Sequence, residues 1–223
     1  MVVNDKRSPP LGKEDVIKIL LMGPANAGKS ELGSRLEEIF NGERKAYEGG
    51  YETSKRNPTS VGRNSSVDKD HKKEASVYKP TPGVAFYKFS LRKTGTNKHE
   101  HELEFVHWEL GGQERYQNLW SIWWAGARGV IVVLDSCKTS DDNYLKEARR
   151  ILDIIETKIK KPYIICANKQ DLQTAIPAHE LRKRLQLWTR PSYLGTFPIS
   201  ALSGENVKKV LLRFLSSIGF NFL

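Results

Sequence analysis

The chain has 223 residues, 36 lysines and arginines against 26 aspartates and glutamates, a net charge of +10, and 39% hydrophobic residues. That fits one substantial domain with its own core, since domains run to about 100–200 residues, and no apolar run approaches the roughly 20 residues of a membrane-crossing helix. With only Cys137 and Cys166, a disulfide scaffold is not expected, and the cytoplasm, with peripheral contact at a membrane left open, is the expected setting.

The basic residues are scattered, so a solvated basic surface is expected and no specific nucleic-acid partner. Residue 2 is Val2 and the terminus GFNFL lacks cysteine, so neither common lipid anchor is expected. Residues 1–13 carry Pro9 and Pro10 and read as a flexible segment before a domain over 14–218, with 219–223 as a tail.

Val16 to Met22 is an apolar run that stops at Gly23, and helical spacing follows from Ser30 to Phe40. Between them, Gly23-Pro24-Ala25-Asn26-Ala27-Gly28-Lys29-Ser30 matches GxxxxGK[ST] in the strand-to-helix setting the motif requires. Backbone N–H groups over Asn26, Ala27, Gly28, Lys29, Ser30 and Glu31 would face phosphate oxygens. Lys29 would add a cation and Ser30 a hydroxyl ligand for Mg²⁺. Alone the motif indicates only a nucleoside-triphosphate loop, with an ordinary Gly-containing turn as the alternative.

From 43 to 79 the composition turns charged and turn-forming, which reads as a mobile insertion. An inert or regulatory solvated loop is the favoured role, against contact with anionic lipid or a partner. Ala85 to Leu91 and Glu102 to Trp108 are strand-like around a polar connection, an expected antiparallel hairpin. Three strand-plus-helix units follow, with strands at 129–134, 163–167 and about 197–199 and helices near 142–159, 178–187 and 205–217. Val207, Val210, Leu211, Phe214 and Leu215 mark the inner face of the last helix. The fold class expected is α/β, a three-layer P-loop NTPase fold. Its six-stranded sheet would be mostly parallel, with one antiparallel hairpin strand and about five helices.

Asn168-Lys169-Gln170-Asp171 directly follows the strand at 163–167. A carboxylate there accepts the N1–H and 2-amino hydrogens of guanine, a donor pair adenine lacks, while Asn168 suits the Hoogsteen edge. Ser200-Ala201-Leu202 would add a backbone N–H to the base carbonyl.

Glu109-Leu110-Gly111-Gly112-Gln113-Glu114, with Leu119-Trp120 downstream, resembles the WDxGGQ segment of Arf-family GTPases of the Ras superfamily, and Lys79-Pro80-Thr81-Pro82-Gly83 resembles their first switch. The likeness covers roughly 14–42 and 79–218. It implies binding of GTP and GDP with Mg²⁺, GTP hydrolysis, and a switch working with an exchange factor, an activating protein and effectors, while Ala25, whose methyl group points toward the catalytic space, makes slow hydrolysis the expectation. By it Thr81 closes over Mg²⁺ and the γ-phosphate, Gly112 donates to the γ-phosphate, and Gln113 orients the attacking water. Lys29, Thr81 and Gln113 form the catalytic set, and Ser30 and Thr81 the metal ligands. Three positions depart from the pattern: Glu109 replaces an aspartate, Ala25 stands at the third loop position, and Val84 replaces a phenylalanine. A nucleotide-locked interaction subunit with little hydrolysis is the alternative. Trp108, Trp120, Trp123 and Trp124 form an aromatic group, part core and part candidate effector surface.

Overall fold

The structure is a computed structural model that describes residues 16–47, 84–94, 100–110 and 120–220. Six strands, β1 (Val16–Met22), β2 (Val84–Thr94), β3 (Glu100–Leu110), β4 (Gly129–Asp135), β5 (Tyr163–Asn168) and β6 (Tyr193–Pro198), form one sheet in the order β2-β3-β1-β4-β5-β6. All neighbours are parallel except the β2–β3 hairpin, which pairs Val84 with Leu110 through to Thr94 with Glu100. Five α-helices complete the described chain: α1 (Lys29–Tyr47), α2 (Trp120–Trp123), α3 (Asp142–Ile154), α4 (Ala178–Arg184) and α5 (Val207–Ser217). The expected architecture is present.

Period-two alternation along the strands divides the core between two faces. Ile17, Ile19 and Leu21 of β1 pack with Leu32, Leu36 and Phe40 of α1 and with Val210, Leu211 and Phe214 of α5. Leu20 and Met22 turn the other way, toward Leu145, Ala148, Ile151 and Leu152 of α3. β4 and β5 are buried along their whole length, as central parallel strands covered on both faces should be. All five residues assigned to the inner face of the last helix are buried.

Three elements differ from the sequence expectation. α1 continues past Phe40 to Tyr47, so 43–47, assigned to the insertion, are helical in backbone; Glu43, Arg44, Lys45 and Ala46 are good helix formers and Gly42 alone does not stop them. The helix expected over 142–159 is α-helical to Ile154 and then makes a π-turn over Ile155–Ile159, closed by left-handed Lys160. The last strand is Tyr193–Pro198 rather than 197–199. A bulge opposite Tyr163/Ile164 and an uneven burial pattern hid its alternation.

The carboxyl ends of β1, β3, β4, β5 and β6 lie along one side of the sheet, and β1 stands where the chain winds outward to β3 on one flank and β4 on the other. Ligands of open α/β sheets bind at such a switch point.

Candidate functional site

β1 delivers the chain to Gly23, whose φ is +147° and where a Cβ would lie 2.2 Å from the Val133 carbonyl oxygen. Only glycine makes that exit without moving β4. The loop passes through left-handed Asn26 (φ 62°) and Gly28 (φ 93°) into α1. Its helix starts at Lys29, so the first-turn N–H groups, Glu31's among them, lack intrahelical acceptors and form an anion-binding end. The Glu31 side chain is exposed and stands 3.9 Å from Arg35.

Lys29 is buried, its Nζ donating to the carbonyls of Gly23 (3.1 Å) and Pro24 (2.8 Å). Loss of hydration lowers its pKa to about 8, against the opposing pull of the Glu109 and Glu147 carboxylates. The ammonium is thus held across the loop without a directly bonded carboxylate in the described contacts, ready for an anion.

Ser30 Oγ donates to Glu109 Oε1 at 2.8 Å, and Tyr87 OH donates to Glu109 Oε2 at 3.0 Å. Glu109, at the carboxyl end of β3, is 2% exposed. Hard oxygen donors from a hydroxyl and a buried carboxylate fit Mg²⁺, a cation that keeps several waters and shares substrate phosphates. Ser30 therefore stands where a metal ligand is expected. Thr81, Gly112 and Gln113 lie outside the described residues.

Asn168-Lys169-Gln170-Asp171 lies at the end of β5. Asn168 is buried and braces two loops: its Nδ2 donates to Ala27 O (2.9 Å), 141 positions away in sequence, and its Oδ1 accepts from Ala201 N (2.9 Å). Gly28 makes this possible, since a Cβ there would lie 2.3 Å from Asn168 Nδ2. Lys169, in the left-handed region at φ 69°, pairs its ammonium with Asp135 Oδ2 at 2.7 Å. That ties the end of β5 to the end of β4.

Asp171 is exposed, with Oδ1 accepting from Ser200 Oγ at 2.6 Å. Ser200 thus orients the Asp171 carboxylate through its hydroxyl. The N–H of Ser200 donates to Glu205 O and that of Ala201 to Asn168, while the Leu202 side chain is exposed.

Arg35, Asp135, Tyr87 and Gly33 belong to the site and were not singled out in the sequence. Arg35 of α1 donates from Nε to Ala201 O at 3.2 Å and from Nη2 to Leu202 O. It joins α1 to the loop of 201–202. In sequence it shows only the i,i+4 relation to Glu31 and the i,i+3 relation to Glu38, ordinary helix-surface pairs.

Of the aromatic group only Trp120 is fully buried, and Trp124, like Trp108 and Trp123, is partly buried against the core. Trp120 is buried in the core, whereas Trp108 and Trp123 are half-buried with ring centroids 5.5 Å apart, and Phe86 stands edge-on to Trp108 at 4.6 Å. Lys18 Nζ lies 3.4 Å over the Trp108 ring.

A family model described as "Arf: ADP-ribosylation factor family" matches residues 61–218. The chain belongs to the ADP-ribosylation factor family. ADP-ribosylation factor-like protein alp41 of Schizosaccharomyces pombe is 32% identical over 113 residues, 49% of this chain and 59% of that protein. ADP-ribosylation factor-related protein 1 of Homo sapiens is 33% identical over 116 residues, 48% of this chain and 55% of that protein. This ADP-ribosylation factor-family chain thus spans little more than half the length of the curated relatives it matches. The Arl6 BBS3 small GTPase from Trypanosoma brucei, solved with a bound nucleotide analogue GppNp, has a TM-score of 0.61 to it at 18% identity, covering 92% of this chain and 98% of that one. That likeness establishes the fold.

Proposed function

We propose that this chain is a GTP-dependent molecular switch that binds GTP and GDP with Mg²⁺ and hydrolyses GTP slowly without an activating protein. The observation that carries the reading is the brace through Asn168, which sets a phosphate-binding loop beside a carboxylate, Asp171, suited to guanine. Family membership supports it.

In this reading the first turn of α1 and Lys29 hold the phosphates, and Asp171 selects guanine. Mg²⁺, when bound beside Ser30 and Glu109, supplies charge neutralisation on the β- and γ-phosphates. Thr81 and Gly112 meet the γ-phosphate and Gln113 positions water, a role a neutral amide fills without titrating. Loss of the γ-phosphate frees the loops bearing Thr81 and Gly112, which changes what an effector meets. Phe86, Trp108 and Trp123 are the surface we assign to effector contact, and a role in trafficking or in membrane or cytoskeletal organisation fits the family. An exchange factor and an activating protein are the expected regulators. The setting proposed is cytoplasmic, with peripheral membrane contact.

The second reading is a nucleotide-locked subunit, favoured by Glu109, whose carboxylate already engages Ser30 and Tyr87. Single-turnover hydrolysis of bound GTP separates the two. Conversion to GDP by the wild type and not by Gln113→Leu is expected of a cycling switch, whereas GTP retained by both proteins establishes the locked subunit.

Lys29 adds a pH signature. Below about pH 8 the free chain already carries its ammonium, so binding of phosphates takes up no proton there. Above that pH the phosphates restore the charge, binding takes up a proton, and affinity falls by up to about tenfold per pH unit. Calorimetry of GDP binding at pH 9 in buffers of differing protonation enthalpy is expected to show about one proton bound per nucleotide; no buffer dependence would contradict the assignment.

A further inference from the structure

We propose that Tyr87 is a positioning residue of the cation site, fixing the Glu109 carboxylate beside Ser30 so that the longer glutamate presents its charge to Mg²⁺. The inference rests on the nucleotide-binding reading above and concerns how this chain accommodates its departure from aspartate.

Glutamate carries one more rotatable bond than aspartate, so its carboxylate sweeps a larger volume unless both oxygens are held. Here both are held: Oε1 by Ser30 Oγ at 2.8 Å and Oε2 by Tyr87 OH at 3.0 Å. The hairpin register explains the reach. Ala85 pairs with Glu109 and Tyr87 with His107, so Tyr87 is the diagonal neighbour of Glu109 on one face of the sheet.

The space for that ring is built on the opposite side. Gly33 of α1 has no side chain, and a Cβ there would lie 2.6 Å from two Tyr87 ring carbons. Tyr87 is 8% exposed, wedged between α1 and the sheet with its hydroxyl directed at the carboxylate. Burial and the nearby Glu109 charge raise its pKa, so the phenol stays protonated and remains a donor. Gly33, Tyr87, Glu109 and Ser30 thus form a continuous unit from α1 through β2 and β3 back to the first turn of α1. Groups that orient metal-proximal carboxylates typically contribute 10–100-fold to metal affinity.

The test measures release of a fluorescent GDP analogue against free Mg²⁺ for the wild type, Tyr87→Phe, Glu109→Asp and the double variant. Phenylalanine keeps the ring that faces Gly33 and removes only the hydroxyl. Tyr87→Phe is expected to raise the Mg²⁺ concentration for half-maximal slowing by about tenfold or more. In the Glu109→Asp background the same substitution is expected to add less than about twofold, because the shorter carboxylate cannot hold Ser30 and Tyr87 together. An unchanged midpoint in Tyr87→Phe overturns the inference, as does an equal shift in both backgrounds or a faster release that is the same with and without Mg²⁺. A wild-type chain that takes up no guanine nucleotide overturns the proposed function itself, and shows before any substitution is made.

Discussion

Asn168→Ala is expected to lower the stability of the empty chain by about 3 kcal/mol, because two buried backbone groups lose their partners at once. The carbonyl of Ala27 and the N–H of Ala201 each bond to the Asn168 amide, and both residues are almost fully buried. An orphaned buried group costs about 1–3 kcal/mol, and among the described residues no other side chain bonds either atom. For a domain of this size the loss corresponds to a fall of roughly 6–12 °C in melting temperature, read by calorimetry without nucleotide. Asn168→Asp is expected to be worse for the phosphate loop, since a carboxylate keeps an acceptor for Ala201 N but sets negative charge against Ala27 O. A melting point within 2 °C or so of wild type for the alanine variant would mean that the brace carries no stability.

His107→Leu is expected to make the protein less sensitive to acid. His107 lies inside the sheet on β3, fully buried, edge-on to Phe89 at 4.9 Å, and among the described residues neither ring nitrogen has a hydrogen-bond partner. Burial lowers its pKa to about 3, whereas the unfolded chain titrates near 6.5. The fold therefore excludes a proton that the unfolded state accepts. This stabilisation is complete above about pH 6.5 and is lost progressively as the pH falls toward 3. By pH 5 the loss from this residue is about 2 kcal/mol. Leucine has no proton to gain and no unmet polar atoms. The variant should be at least as stable as wild type at pH 7, and its advantage should grow by about 2 kcal/mol at pH 5 in urea unfolding. A difference that stays constant between the two pH values would place the acid sensitivity elsewhere.

The ends of β1 and β5 were legible because their chemistry is local. A loop that cradles phosphate needs its glycines, lysine and hydroxyl in consecutive order, and NKQD follows its strand without interruption. The α5 face was legible because its apolar spacing matches the helical period. What escaped depends on register between distant segments. Tyr87 looks like any aromatic in an alternating strand until β2 is paired with β3, and Asp135 looks like a strand terminus until Lys169 reaches it. The bracing by Asn168 was hidden for the same reason. Its chemistry suggests an edge of the base, and only the fold shows that its amide also bonds Ala27 and Ala201. β6 was misplaced because Gly195 and Thr196 dilute an already uneven pattern.

Arg35 gives the molecule leverage. With Asn168 it makes the loop of 201–202 and the start of α1 parts of a single mechanical piece. In the proposed nucleotide-bound state coupling of this kind is reciprocal: whatever factor a bound phosphate contributes to ordering the loop of 201–202, a partner that pries that loop open takes from phosphate affinity. A protein gripping the outer turn near the exposed Leu202 would thus be felt at Lys29 without touching it, and ejecting the ligand would require a hold on one rim of the pocket only.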